Sequence, residues 1–282
     1  MTPTILLAGA TAAFYGCSDF LGGLAARRGS EVTVTLIAHL LGLALLAVAL
    51  LIFPAVSVHS ADLLWGAAAG VSSAVGVTSL YGALARGRMS VVAPITAALS
   101  GSLPALFDFA RGTRVGPVAL VGLGIALVAI VIVSSVGHPE DRAAMPPAAI
   151  TLSLLAGVSF AGSFILFSLT ANASGLAPLV AARVVSVTLM GAAALAVGRG
   201  RVQVARPMIA PALGAGALDA AATACMVASI RIGPLAVAAV LGSLYPVATI
   251  LLARAVLKER LHPAQRFGVA LALVAVVMTA LR

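Results

Sequence analysis

Stretches of apolar residues about 20 long, the length that crosses a bilayer as a helix, recur along the whole chain, and the brief segments between them hold most of the charges. Hydropathy and the Gly and Pro breakers together predict helices near 4–25, 32–53, 62–85, 90–110, 117–137, 148–170, 177–197, 208–230, 234–255 and 264–281. With 62% hydrophobic and only 9% charged residues, the chain has too little polar surface to cover a water-soluble core. The expected fold is an all-α integral membrane protein of ten transmembrane helices, multi-pass in the cell inner membrane.

In a soluble protein a net charge of +9 would suggest nucleic acid, but here the bases sit mostly at helix ends, where they report topology and meet lipid. No nucleic-acid partner is expected. The segments after helices 1, 3, 5, 7 and 9 hold Arg27, Arg28, Arg86, Arg88, Arg199, Arg201, Arg206, Lys258, Arg260 and Arg266, against Arg111, Arg114 and Arg231 on the other side. The positive-inside rule then puts both termini outside. Met1-Thr2-Pro3-Thr4 lacks the basic start of a signal peptide and Asp19 interrupts the apolar run, so the first segment is expected to be retained. Cys17 and Cys225 lie in different helices with no disulfide or metal-ligand spacing, and read as small packing residues.

The longest interruption, 138–147, contains two acids, one base and three prolines, and divides the helices five and five. The halves, 4–136 and 149–281, carry matching features in the same order. Leu6-Leu7-Ala8-Gly9 returns as Leu154-Leu155-Ala156-Gly157. Leu99-Ser100-Gly101-Ser102-Leu103-Pro104 parallels Leu241-Gly242-Ser243-Leu244-Tyr245-Pro246, and Gly122 with Ala126-Leu127-Val128-Ala129 parallels Gly268 with Ala272-Leu273-Val274-Ala275. An odd number of spans per half makes the second copy enter from the opposite face, giving two inverted five-helix repeats with a site near the midplane.

The Phe14-Tyr15-Gly16-Cys17-Ser18-Asp19-Phe20 run, Arg183 early in helix 7, and Leu244-Tyr245-Pro246 followed by Lys258-Glu259-Arg260-Leu261 and Gly268 resemble the EamA family of the drug/metabolite transporter superfamily. The resemblance covers two EamA units, 4–136 and 149–281. It implies a carrier of amino acids, other metabolites, drugs or sugar-nucleotides, with both termini in the cytoplasm, opposite to the charge count. The first half departs from the pattern at Phe109-Ala110-Arg111-Gly112-Thr113-Arg114-Val115-Gly116-Pro117, which lacks a counterpart of Glu259.

Ionisable groups inside a span cost about 2.5–3.5 kcal/mol at the bilayer centre, so they are the candidate site residues. Asp19 has Tyr15, Gly16, Gly22 and Gly23 at helical spacing, a small face suited to helix contact; it either faces the bundle as a proton-coupling carboxylate or pairs with Arg27 or Arg28 near the interface. Ala38-His39-Leu40-Leu41 aligns with Ala182-Arg183-Val184-Val185, making His39 and Arg183 counterparts across the midplane. Arg183 suits a substrate carboxylate or phosphate, or else snorkels to the headgroups. Asp219, with Ala215, Gly216, Ala222 and Thr223 around it, is a second coupling carboxylate or a packing residue.

Asp108 is expected to pair with Arg111 at i+3, Trp65 and Tyr81 to anchor at the interfaces, and Tyr15 and Tyr245 to line the cavity. Pro94, Pro104 and Pro246 mark kinks in helices 4 and 9, and Gly66 and Gly70 a close helix contact, within the fold or in a homodimer.

No P-loop is present, so the energy of transport would come from a gradient of protons, another ion or the solute itself. No HExxH or GxSxG motif supports an enzyme, and no metal or cofactor is expected. The leading expectation is a secondary active exporter of a small metabolite such as an amino acid. The alternatives are a nucleotide-sugar or lipid-linked substrate carrier and a non-transporting membrane assembly partner.

Overall fold

The computed structural model describes residues 2–135, 146–257 and 263–280, so most of the 138–147 linker and Lys258, Glu259 and Arg260 lie outside the described residues. Among the described residues the regular elements are helical: α1 (Thr2–Ala26), α2 (Glu31–Ile52), α3 (Ser60–Arg86), α4 (Met89–Ala110), α5 (Pro117–Ser135), α6 (Pro147–Ser168), a 3-10 turn (Asn172–Ser174), α7 (Ala177–Val197), α8 (Arg206–Ile232), α9 (Leu235–Gly242), α10 (Pro246–Leu257) and α11 (Pro263–Ala280). Among the described residues, eight spans are long and apolar enough to cross a membrane: α1 to α4, α6 to α8, and α9 with α10 taken together. α5 adds a shorter apolar stretch, Leu120–Ala129. Large apolar side chains such as Leu6, Leu51, Phe53 and Val197 point outward, where lipid rather than water satisfies them.

The sequence predicts one helix over 234–255 with Pro246 inside it; the structure breaks that helix at Ser243–Tyr245. Pro246 has no N–H for the Gly242 carbonyl. Leu244 N–H turns back to Leu241 O (3.1 Å) and Val247 N–H to Leu244 O (3.0 Å). Pro246 then starts α10, a position its fixed φ favours. Pro94 and Pro104, by contrast, sit within a continuous α4.

Helices adjacent in sequence are not the main packing partners. α1 packs on α8, α3 on α6 and α7, α2 on α7 and α8, α4 on α6 and α9, and α5 on α11. Small residues allow these approaches. A Cβ on Gly70 would lie 2.7 Å from Ala182 Cα, and one on Gly216 would lie 2.7 Å from Ala38 Cα. Gly66 meets the Pro178 backbone in the same way, so Gly66 and Gly70 serve contact within the chain. Hydroxyls supplement the packing by donating to carbonyls of neighbouring helices: Ser18 to Ala215 (2.9 Å), Ser72 to Ser159 (2.7 Å), Ser229 to Thr4 (2.9 Å) and Thr249 to Gly16 (3.1 Å).

Asp108 does not pair with Arg111. Its carboxylate accepts the Thr113 hydroxyl (2.8 Å) and the Ala236 N–H (2.8 Å), capping the first turn of α9, while Arg111 lies over the Phe107 ring. The free first-turn amides of α9 offered this carboxylate a fixed, buried partner. An exposed i+3 ion pair is worth less.

Candidate functional site

Pairs of residues one helical turn apart, which share a helix face, meet at the centre of the bundle. α1 supplies Tyr15 and Asp19, α3 Val77 and Tyr81, α6 Phe160 and Phe164, α8 Asp219, and the break between α9 and α10 supplies Tyr245. Together they line a cavity of about 10 Å³, close to the room one water needs. All three tyrosines of the chain are in its wall. The rings converge without stacking: Tyr15 meets Tyr245 edge-on at 74° and Phe164 at 32°, with centroids 6.4 Å apart in both pairs.

Small residues admit these groups. A Cβ on Gly22 would overlap the Tyr81 ring, and one on Gly16 would press on the Tyr245 carbonyl and Ala248. The face read from sequence around Asp19 is therefore the packing face of α1. Tyr81, expected at an interface, is 1% exposed and faces the cavity because Gly22 leaves room for its ring and α3 runs on past it to Arg86. Trp65 is 40% exposed on the outer surface of α3.

Asp219 is ion-paired with Arg183 of α7, and both are buried. Arg183 neither snorkels nor lines the cavity. Its guanidinium passes Gly42 of α2 and stands behind Asp219, donating also to Thr223 Oγ1 (3.2 Å). Thr223 is a hub that sequence reasoning noted only as a neighbour of Asp219. Its single hydroxyl proton goes to Asp219 O (2.8 Å), so its lone pairs accept from Arg183 and from Tyr15 Oη (3.1 Å).

His39 is fully buried one layer behind the cavity. Ser186 donates to Arg183 O (3.1 Å), so it accepts from His39 Nδ1 (3.0 Å); this assigns the Nδ1–H tautomer and leaves Nε2 buried with no hydrogen-bond partner. His39 and Arg183 thus meet across the α2–α7 contact through Ser186. Tyr245 Oη is likewise buried with no hydrogen bond.

Asp19 is 6% exposed and lies against Tyr15, Tyr81 and Tyr245 in the cavity wall. Arg27 and Arg28 are turned away from it, donating to the carbonyls of Leu84 and Pro207. Among the described residues, Asp19 has no hydrogen-bonded or ion-paired side-chain partner, whereas Asp219 is neutralised by Arg183.

Residues 147–281 match the model of the EamA-like transporter family. This half of the chain is similar to that family. A solved crystal structure is similar to it over 96% of this chain and 94% of its own, with a TM-score of 0.70 and 17% identity, which shows a shared fold. A comparison with curated proteins finds no match. The matched half contributes Arg183, Asp219 and Tyr245 to the site; Asp19, Tyr15 and His39 come from the first half. Phe160 and Phe164 were missed in the sequence, although their four-residue spacing beside Ser159, Ser163 and Ala161 marks an aromatic ridge on an otherwise small-residue face.

Proposed function

We propose that this chain is a secondary active transporter of the inner membrane, a carrier and not an enzyme, which exports a small amine-bearing metabolite such as an amino acid by alternating access through the central cavity. The observation that carries the reading is Asp19: a buried carboxylate in the wall of the central cavity with no ion-paired or hydrogen-bonded side-chain partner among the described residues, beside an Asp219 that is paired with Arg183. Such a group is costly for packing alone. It can hold either a proton or a cationic solute, and that exchange lets an inward proton gradient drive a solute out.

Two inverted five-helix repeats are part of the proposal, with α1 to α5 corresponding to α6, α7, α8, α9–α10 and α11. The packing supports this. α1 lies on α8 as α6 lies on α3, α2 on α8 as α7 on α3, and α4 on α6 as α1 on α9 and α10. α5 with α11, α2 with α7 and α4 with α9 are contacts between counterparts. The Gly70–Ala182 and Gly216–Ala38 approaches exchange in the same way, each beside one of the aligned pair Arg183 and His39.

Access from one end passes through a wider polar cavity of about 370 Å³ lined by Phe107, Asp108, Arg111, Ser168 and Leu235. An apolar plug of Phe164, Met226, Leu235, Ala238 and Ala239 separates it from the central cavity. Rocking of the halves would part this plug while closing the opposite end. The described wall of the central cavity carries no Arg or Lys to receive a diphosphate, which weighs against a nucleotide-sugar substrate.

In membrane vesicles, Asp19→Asn is expected to abolish solute accumulation driven by an imposed proton gradient. Accumulation at the native level by that variant would remove Asp19 from the coupling mechanism.

A further inference from the structure

The central cavity's wall is made of rings and carboxylates: three tyrosines, two phenylalanines, one valine and two aspartates. The nearest guanidinium, Arg183, is committed behind the wall to Asp219 and Thr223. Tyr15 gives its proton to Thr223, so its oxygen presents only a lone pair. A solute seated here meets one carboxylate without an ion-paired side-chain partner among the described residues, the single unpartnered hydroxyl of Tyr245, and several aromatic surfaces.

This chemistry discriminates among solute classes. An anion would lose its hydration, find no cation in the wall and stand beside Asp19. A neutral solute would leave the Asp19 charge uncompensated in a site closed to water. A zwitterion would satisfy Asp19 with its ammonium, but its carboxylate could reach a cation only by taking Arg183 from Asp219, which would strip a buried acid of its partner. An organic ammonium compensates Asp19 directly and is attracted to the ring faces around it.

We propose that the cavity is an ammonium-recognition site, in which Asp19 takes the charge of an organic amine while Tyr15, Tyr81, Phe160, Phe164 and Tyr245 enclose its apolar body. The inference rests on the transport reading for the movement of the amine after it binds, and it replaces the amino acid of that reading with amines that lack a carboxylate. It also makes Asp19 the shared site of proton and substrate. At its present volume the cavity does not hold such a body, so the rings must part on entry; Tyr15, Tyr245 and Phe164 bound it from three separate elements and can do so by rotation.

The test uses three probes that share one phenyl ring: phenethylamine, phenylalanine and phenylacetate. Each is titrated calorimetrically into the full chain reconstituted in nanodiscs, with native protein, Asp19→Asn and Asp19→Glu. The expected result is saturable binding of phenethylamine, at least tenfold weaker binding of phenylalanine and none of phenylacetate. Asp19→Asn should lose amine binding at least tenfold while keeping the native thermal midpoint, and Asp19→Glu should restore most of it. Tighter binding of phenylalanine or phenylacetate than of the amine overturns the proposal, as does the absence of saturable amine binding by folded native protein. Amine binding that survives in Asp19→Asn while proton-driven accumulation is lost overturns amine recognition by Asp19 and leaves the transport reading standing. Binding as expected without any flux of the amine across vesicles would instead contradict the transport reading.

Discussion

At the residue scale the centre of the molecule contains two carboxylates in different circumstances. Asp219 is tied to Arg183 and, through its own carbonyl, to Thr223; Asp19, across the same cavity, has no ion-paired or hydrogen-bonded side-chain partner among the described residues. On the proposed reading these environments divide the work: Asp219, held by Arg183, fixes the geometry, and Asp19 exchanges proton and solute. Removing one member of a buried ion pair strands the other, at a cost of about 3–5 kcal/mol, whereas replacing both by apolar groups of similar volume is often tolerated. Arg183→Met is therefore expected to lower the thermal midpoint in detergent sharply, and Arg183→Met/Asp219→Leu to recover much of it without recovering transport. A single variant as stable as the native chain would show that the pair does not hold α7 to α8. That Arg183 and Asp219 lie within apolar spans was legible in the sequence because charges there are few. Their pairing was not, since 36 residues and two helix faces separate them. The expectation of a substrate partner for Arg183 did not allow for Asp219, to which the structure ties it.

At the scale of elements, apolar length and Gly or Pro punctuation were enough to place the helices, because in lipid a backbone has few alternatives to a helix. The α9–α10 break was less legible. Pro104 and Pro246 look equivalent in sequence, yet only Pro246 sits where neighbouring N–H groups turn back on the chain and let the helix restart. Asp108 was misread for a similar reason: its partner is a backbone amide of a distant helix start, invisible in local spacing. Close approach through glycine gives the element-scale prediction. Gly216→Val would force α8 away from Ala38 and is expected to destabilise the chain by about 1–3 kcal/mol. Gly9→Ala, where nothing lies within 4 Å of the added carbon, should leave thermal unfolding unchanged. Equal effects of the two substitutions would contradict the packing described for α2 and α8.

At the scale of the whole molecule, the halves are interleaved rather than set side by side, with α1 seated on α8 and α6 on α3. Such an arrangement puts the cavity at the junction of both halves, so neither half alone builds the site. Matched residues such as Ala38-His39 and Ala182-Arg183 pointed to a repeat in the sequence, but the aromatic enclosure depends on side chains from both halves and became visible only in three dimensions. The central claim is that this junction carries a solute across the membrane and that Asp19 is essential to it. The most direct measurement compares intracellular and extracellular metabolite pools of cells expressing equal amounts of the native chain or of Asp19→Asn. The account predicts that a small set of amine-bearing solutes is depleted inside and enriched outside with the native chain alone; identical pools for the two chains would contradict it.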